Sequence, residues 1–239
     1  MISVCIATYN GEQYIEQQLR SILDQIAPED EVIISDDAST DATLACIDSL
    51  QDPRIRVLKH PHMGTTQSFY AALIQAKGEY IFLSDQDDVW LPKKVERLMQ
   101  TLLTYDLVVS DAYVTDVSLH PTGPTLFQLL GSREGLLRNW AACAFYGSTM
   151  AFKRHIVEKA QPFPMAKHIA HDWWIGMVAE MEGKVCFLPE PLILYRRHEA
   201  TVTQLNNGSL LTRSARPFPV KIAARLQMAY YIIRHQLHH

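Results

Sequence analysis

The chain has 239 residues and a mass of 27.2 kDa, room for one large α/β domain or two small ones. With 48% hydrophobic and 20% charged residues its composition is that of an ordinary globular protein, which excludes collagen, coiled coil and wholesale disorder. The net charge of −4 argues on average against a nucleic-acid binder, but it hides an asymmetry. No Asp or Glu follows Glu199, whereas Arg213, Arg216, Lys221, Arg225 and Arg234 do, so the first 199 residues hold 17 basic residues against all 26 acidic ones.

The chain opens on an apolar, strand-like run over 2–9, with neither a basic segment nor an apolar stretch of signal-peptide length before it. No stretch approaches the roughly 18 apolar residues of a membrane span. Cys5, Cys46, Cys143 and Cys186 lie far apart in apolar contexts and read as buried free thiols. These features predict a cytoplasmic protein.

Up to residue 110, strands and helices alternate. Ile15, Leu19, Ile22 and Leu23 recur at helical spacing within 12–26. A strand over 31–35 leads to a helix over 40–50 with Ser39 as its expected N-cap. A strand over 55–58 precedes a helix over 66–77 stopped by Gly78 at the C′ position. A strand over 80–83 is followed by a helix from Pro92, at its first position, to Leu103, and then by a strand over 106–110. Strands of four to six residues alternating with longer helices predict βαβ units and a parallel sheet. Residues 111–146 read as loop-rich, 147–153 as a strand, 172–182 as a helix ended by Gly183, and 185–188 and 192–195 as strands flanking Pro189 and Pro191. Residues 220–237 place Ile222, Leu226, Ala229, Tyr230, Ile233 and Leu237 on one face of a basic amphipathic helix, a surface for membrane, homodimer or its own domain.

In a parallel sheet, ligands bind beyond the carboxyl ends of the strands. Thr8-Tyr9-Asn10, Asp36-Asp37, Lys59-His60 and Asp85-Gln86-Asp87-Asp88 stand at those ends and should converge on one crevice. Three carboxylates within four residues repel one another unless a cation neutralises them, and hard oxygen ligands suit Mg²⁺ or Mn²⁺ together with substrate phosphates. The competing reading is a solvated acidic turn. Asp36-Asp37 alone is a weak signal, equally at home in a helix-entry turn.

The order Ala7-Thr8-Tyr9-Asn10-Gly11, Ser35-Asp36-Asp37-Ala38-Ser39-Thr40-Asp41, Gly64, Gly78-Glu79-Tyr80 and Asp85-Gln86-Asp87-Asp88 strongly resembles the family 2 glycosyltransferases, inverting enzymes of the GT-A fold. Ser84-Asp85-Gln86-Asp87-Asp88-Val89-Trp90 is most similar to the bacterial rhamnosyltransferase-type members, and the resemblance covers residues 2–200. It implies a mostly parallel, Rossmann-like central sheet flanked by helices with a C-terminal helical extension. Residues 1–110 would form a nucleotide-sugar-binding half, 111–209 an acceptor-side half, and 210–239 a basic tail. Thr8, Tyr9, Asn10 and Glu12 would meet the base and ribose of a dTDP- or UDP-sugar, with Asp36, Asp37 and Lys59 beside them. Asp85, Gln86 and Asp88 would meet the donor, and Asp85 and Asp87 a Mn²⁺ or Mg²⁺ ion, with Asp87 the favoured direct ligand. His62-Met63-Gly64 and Ser68 depart from the family's Asn-x-Gly and second Asn.

An inverting transfer needs a base on the acceptor hydroxyl opposite the leaving diphosphate. The resemblance assigns it to Asp172, which on its own would read as an N-cap. Gly147, Ser148, His171 and Trp173 would line the acceptor side, Trp173 and Trp174 being candidate stacking platforms or core. Arg196 and His198, in a Tyr-Arg-x-His-like signature, would face the diphosphate or metal, and 199–209 would close as a lid. The implied reaction moves a sugar to a hydroxyl of a glycan or lipid-linked glycan in bacterial surface polysaccharide synthesis. A silent nucleotide-sugar-binding module is the alternative. A sugar nucleotidyltransferase ranks lower, because the first strand end lacks a glycine-rich basic loop.

Overall fold

The computed structural model of the chain describes residues 1–198 and 217–238. The expected lid over 199–209, and Arg213 and Arg216 of the tail, lie outside the described residues.

The elements run β1 (Ile2–Thr8), α1 (Ile15–Leu23), β2 (Glu31–Asp36), α2 (Thr43–Ser49), β3 (Ile55–Lys59), α3 (Thr65–Gln75), β4 (Tyr80–Ser84), β5 (Val89–Trp90), α4 (Lys94–Leu102) and β6 (Leu107–Thr115). Then come α5 (Leu126–Leu130), α6 (Leu136–Ala141), a 3₁₀ turn (Gly147–Thr149), β7 (Met150–Lys153), α7 (Arg154–Ala160), α8 (His171–Glu182), β8 (Val185–Arg196) and α9 (Phe218–His238). The eight strands form one sheet in the order β3-β2-β1-β4-β7-β6-β8-β5. β7 runs against both its neighbours and β5 against β8, so the other six strands share one direction. The strands are apolar on both faces, as a sheet covered by helices requires. On one face Val4, Ile6, Val32 and Ile34 meet Ile15, Leu19 and Ile22 of α1. On the other, Cys5, Ile33 and Ile81 meet Phe69 and Leu73 of α3, and α8 lies against the same cluster.

Register aligns the functional ends. Thr8 pairs with Asp36, Asp36 with Lys59, and Ile6 with both Ile34 and Ser84, so the polar termini of β1, β2, β3 and β4 emerge together.

Several local expectations give way to tertiary constraints. Ser39 does not cap α2. Ala42 holds that position without a side-chain cap, and Ser39 Oγ instead accepts from the Asn10 N–H at 3.0 Å. Gly78 is not a left-handed terminator. A Cβ there would come within 2.5 Å of the Ser3 nitrogen, so the glycine serves close backbone packing against β1. Pro92 precedes α4 rather than opening it, because Lys93 at φ 70° turns the chain into the helix. The segment 111–146 is loop-rich as expected, with β6 running on to Thr115 and the short helices α5 and α6 set within it. The two strands expected around the prolines are one strand, β8. It stays parallel to β6 through a register shift between Ser110↔Leu188 and Asp111↔Pro191 that takes Pro189 and Glu190 out of the pairing. All four cysteines are free thiols, but Cys5 alone among them is fully buried.

α9 rests on the domain by the face opposite its apolar stripe. Its buried side chains are Ala224, Met228 and His235, which rest on the domain. Trp140 Nε1 donates to the Arg225 carbonyl at 3.1 Å, and His235 Nε2 lies 3.0 Å from Glu182 Oε1. The predicted apolar stripe is the outer face: Ile222, Leu226, Tyr230, Ile233 and Leu237 are exposed, and Phe218 extends the row. No described helix is long and apolar enough to cross a membrane.

Candidate active site

The crevice lies at the carboxyl ends of β1, β2 and β4, and its floor is built by clamps between loops. Gln86 joins β4 to β1. Thr8 Oγ1 donates to Gln86 Oε1 at 2.6 Å, Tyr9 N–H donates to the same oxygen at 2.9 Å, and Gln86 Nε2 donates back to the Tyr9 carbonyl at 3.1 Å. A Cβ on Gly11 would lie 2.4 Å from that oxygen, so a side chain there would displace the Gln86 carboxamide from its clamp. The loops after β1 and β2 are joined likewise. The Thr40 N–H donates to Asn10 Oδ1 at 2.8 Å and the Ala42 N–H to Glu12 Oε2 at 2.7 Å. The carboxamide of Gln86, the amide oxygen of Asn10 and the carboxylate of Glu12 are thus engaged by protein.

The adjacent aspartates differ. Asp37 accepts from the Met63 and Gly64 N–H groups at 2.6 and 2.9 Å, with His62 Nδ1 2.9 Å away, so it holds the loop before α3. This is how His62-Met63-Gly64 is anchored. Asp36 Oδ2 accepts from the Ser39 N–H, while its buried Oδ1 has no partner. Tyr9 is exposed at the mouth with its ring 4.8 Å from that of His62, and Lys59 is exposed at the end of the edge strand.

The acidic turn is closed from the far end of the chain. β8 pairs antiparallel with β5, Val89 with Leu194, and so brings Arg196 and His198 to Asp87 and Asp88. The expectation of Arg196 as a diphosphate ligand is corrected here. Its guanidinium is buried, donating to the Asp87 carbonyl at 2.8 Å, the Val117 carbonyl, and Gln17 Oε1 at 2.7 Å, and lies 4.7 Å from the Tyr14 ring centroid. Its backbone N–H donates to Asp88 Oδ1 at 3.1 Å. Arg196 therefore fixes the shape of the turn. His198 Nε2 lies 2.8 Å from Asp87 Oδ2.

Burial first, then the charges of Asp87 and Asp172, push the Asp85 carboxyl up to about 7. Burial, then Asp87 and Asp85, also hold Asp88 well above the usual carboxylate range. The neighbouring Ser148 hydroxyl moderates this, although neither it nor Asp88 Oδ2 completes a hydrogen bond of normal geometry. Among the described residues no three His, Cys, Asp or Glu side chains converge as a complete metal site. A hard cation that takes one or two protein ligands plus substrate phosphates needs no complete cage. The Asp87–His198 pair fits such a shared site.

Asp172 stands across the crevice, in the first turn of α8. Its Oδ2 accepts from the Gly147 N–H at 3.2 Å and its Oδ1 from the Trp173 N–H at 2.7 Å. Its charge reaches Asp85, and it also adds to the burial that raises the Tyr70 phenol. His171 is buried behind it, stacked on Phe69 at 3.9 Å, with neither ring nitrogen hydrogen-bonded. A Cβ on Gly147 would lie 2.9 Å from His171 Nε2, so wall and imidazole are in close contact. The expectation of tryptophan platforms is corrected: Trp173 and Trp174 are buried and donate to the carbonyls of Asn139 and Ala160.

Burial lowers the His171 pKa below its ordinary value, so the folded chain binds a proton there less readily than the unfolded chain. The corresponding stability is lost as pH falls through about 6.5. We predict that stability falls less steeply between pH 7.5 and 5.5 in His171→Leu than in the parent, by up to about 1.4 kcal/mol per pH unit. Urea unfolding at the two pH values measures this, and equal slopes would refute it.

Sequence reasoning missed three participants. Tyr14 carries Arg196 on its ring and lies 5.0 Å from that of His198. Gln17 receives the guanidinium. Lys94, fully buried, donates to the Ser148 carbonyl. Tyr14 precedes α1, and Gln17 and Lys94 are polar positions of α1 and α4, which by residue type read as solvated surface.

The glycosyl transferase family 2 model matches residues 3–160. The chain belongs to glycosyl transferase family 2. It is 32% identical over 211 residues to an uncharacterised glycosyltransferase of Nostoc sp., covering 83% of this chain and 65% of that relative. It is 28% identical over 210 residues to the dTDP-rhamnosyl transferase RfbG of Shigella flexneri, covering 81% and 72%. The family 2 chain thus spans roughly two thirds of these curated relatives' length. Among solved structures, the mannosyltransferase PcManGT of Pyrobaculum calidifontis, in complex with GDP-Man and Mn²⁺, superposes with a TM-score of 0.62 at 18% identity, covering 96% of this chain and 69% of that one. The GT-A fold expected from the motifs is the fold of this family 2 chain.

Proposed function

We propose that the chain is a metal-dependent inverting glycosyltransferase that moves a sugar from a dTDP- or UDP-sugar to a hydroxyl acceptor in bacterial surface polysaccharide synthesis. One observation carries the reading: Asp172, held by the Gly147 amide, is near enough to the acidic turn for its charge to act on Asp85. A carboxylate facing a donor-side metal turn is what an in-line displacement with inversion needs. Asp172 takes the acceptor proton. Asp87 and His198 hold Mn²⁺ or Mg²⁺, with Asp85 beside them, and such a cation, when bound, neutralises the leaving diphosphate. The unpartnered Asp36 Oδ1 accepts from the base or ribose, and Tyr9 offers its ring to the base. The similarity to a dTDP-rhamnosyl transferase favours thymidine or uridine donors.

Titration calorimetry with dTDP, UDP and GDP, with and without Mn²⁺, followed by transfer assays with the corresponding sugars, tests this. A Mn²⁺-dependent preference for a pyrimidine diphosphate and release of that diphosphate on transfer are expected. Metal-independent binding of all three would refute the donor site, and binding without turnover across acceptors would favour the silent module.

The exposed face of α9 supports a membrane-presented acceptor in this reading. Its outward row of Phe218, Ile222, Leu226, Tyr230, Ile233 and Leu237, with Arg234 exposed beside it and no acidic residue after Glu199, suits an anionic bilayer on the cytoplasmic side, where a lipid-linked glycan would be presented. Binding to phosphatidylglycerol vesicles but not to phosphatidylcholine vesicles is expected in co-sedimentation. Binding to neither would remove the membrane reading, and a dimer in solution that buries α9 would replace it.

A further inference from the structure

α9 is joined to the domain at two places. In its first half it exchanges hydrogen bonds with α6: Trp140 Nε1 donates to the Arg225 carbonyl at 3.1 Å, and Arg225 Nε donates to the Ala141 carbonyl at 2.8 Å. Near its end, His235 Nε2 meets Glu182 Oε1 at the last residue of α8. Asp172 is in the first turn of the same helix, roughly 15 Å from Glu182 along the axis.

The joint at α6 leads to Asp172. Asn139, the neighbour of Trp140, has no exposed surface. Its carbonyl accepts from Trp173 Nε1 at 2.9 Å and its Oδ1 from the Ala144 N–H at 3.2 Å, while its Nδ2 donates to Glu180 Oε1 of α8 at 3.0 Å. Trp173 supplies the N–H that holds Asp172 Oδ1. Ala144 leads the chain into Gly147, whose N–H holds Asp172 Oδ2. Both amides on the Asp172 carboxylate therefore belong to segments fixed by Asn139. A buried polar group with its hydrogen bonds made holds its partners in place, because breaking one leaves a donor or acceptor away from water.

We propose that Asn139-Trp140 is a positioning joint through which the seating of α9 on the domain sets Asp172 for transfer. The inference rests on the role of base proposed above for Asp172 and extends it to a helix remote from the crevice in the chain. Loosening the joint lets the two amides shift with their segments, so the carboxylate loses its aim. The donor side, built on the ends of β1, β2 and β4, keeps its geometry. A misplacement of about 1 Å at a reacting group can slow a reaction about a hundredfold. Seating of α9 is thus a condition for transfer and not for donor binding.

The test uses the full chain with two variants. Trp140→Phe keeps a ring in a half-buried site but removes the indole N–H, and His235→Leu breaks the other joint. Trp140→Phe should lower kcat by about tenfold with donor KM within about twofold of the parent. Hydrogen exchange at the Gly147 and Trp173 amides, followed by NMR, should rise about tenfold. His235→Leu should lower the thermal midpoint while kcat and the exchange of both amides stay within about twofold of the parent.

Parent-like exchange at the two amides in Trp140→Phe would overturn the joint. Raised exchange with parent-like kcat would do so too, provided that Asp172→Asn slows transfer. Equal changes in the two variants would mean a general loosening of α9 and would also overturn it. If Trp140→Phe does not fold, Arg225→Ala, which removes the guanidinium from the Ala141 carbonyl, is held to the same expectations. An inactive parent chain, or an unchanged kcat in Asp172→Asn, would sink the base reading and leave the exchange results to decide the joint.

Discussion

Replacing Asp87 by alanine is expected to lower kcat/KM for sugar transfer by about a thousandfold and to abolish the Mn²⁺ dependence of nucleotide binding. Asp87 is half-buried, its carboxylate is paired with His198, and it is the carboxylate of the turn that combines access with an imidazole neighbour. Burial first, then neighbouring charge, raises the carboxyls of Asp85 and Asp88. The substitution should therefore remove the cation's main anchor without removing a structural support. Asp87 is also a leading cause of the raised Asp85 pKa, so its loss relieves repulsion in the metal-free chain. The midpoint of thermal unfolding in EDTA should accordingly hold or rise while activity disappears. A midpoint that falls together with activity would make Asp87 a structural residue, and an intact Mn²⁺ response would move the metal site elsewhere.

Asp172→Asn is the second large effect, and its signature differs. A general base contributes about a hundredfold to ten-thousandfold to the rate. We predict a kcat loss in that range with donor and Mn²⁺ affinity within about twofold of the parent, because Asp172 sits on the acceptor wall. The asparagine keeps the size of the side chain but can no longer accept from both the Gly147 and Trp173 N–H groups through charged oxygens. Part of the loss could therefore be positional, and Asp172→Ala separates the contributions: equal kcat values in the two variants assign the loss to the base. Pre-steady-state transfer and calorimetry of the same preparations give both quantities. Unchanged kcat in both variants would dismiss Asp172 as the base, and weakened donor binding at unchanged kcat would place it on the donor side.

Much of the first half of the fold was legible in the sequence because its signals are local. The apolar runs of β1, β2 and β4 and the spacing of Ile15, Leu19 and Ile22 encode burial that depends only on which side faces the sheet. The strand-end rule then brought Thr8, Asp36 and Asp85–Asp88 to one crevice. Side-chain employment was not legible in the same way. Asp36 and Asp37 look equivalent in sequence, yet one keeps a buried oxygen unpartnered and the other anchors the loop before α3. Arg196 reads as a phosphate ligand until its guanidinium is seen engaged by Asp87, Val117 and Gln17, residues distant in the chain. The two tryptophans of α8, read as stacking platforms or core, prove to be core, because an apolar helix face says that it can be buried, not against what.

The asymmetry between acidic body and basic tail was fixed by the sequence, as were the family motifs and the order of strands and helices. What only the tertiary structure decided was partnership. β7 inserts antiparallel between β4 and β6, and β8 passes its prolines through a register shift to return Arg196 and His198 to the acidic turn. α9 turns its apolar row outward. These outcomes depend on contacts between residues scores of positions apart, whose energies no local periodicity encodes. The same holds for Lys94, polar by type and first in its helix, which the fold buries completely with its Nζ on the Ser148 carbonyl.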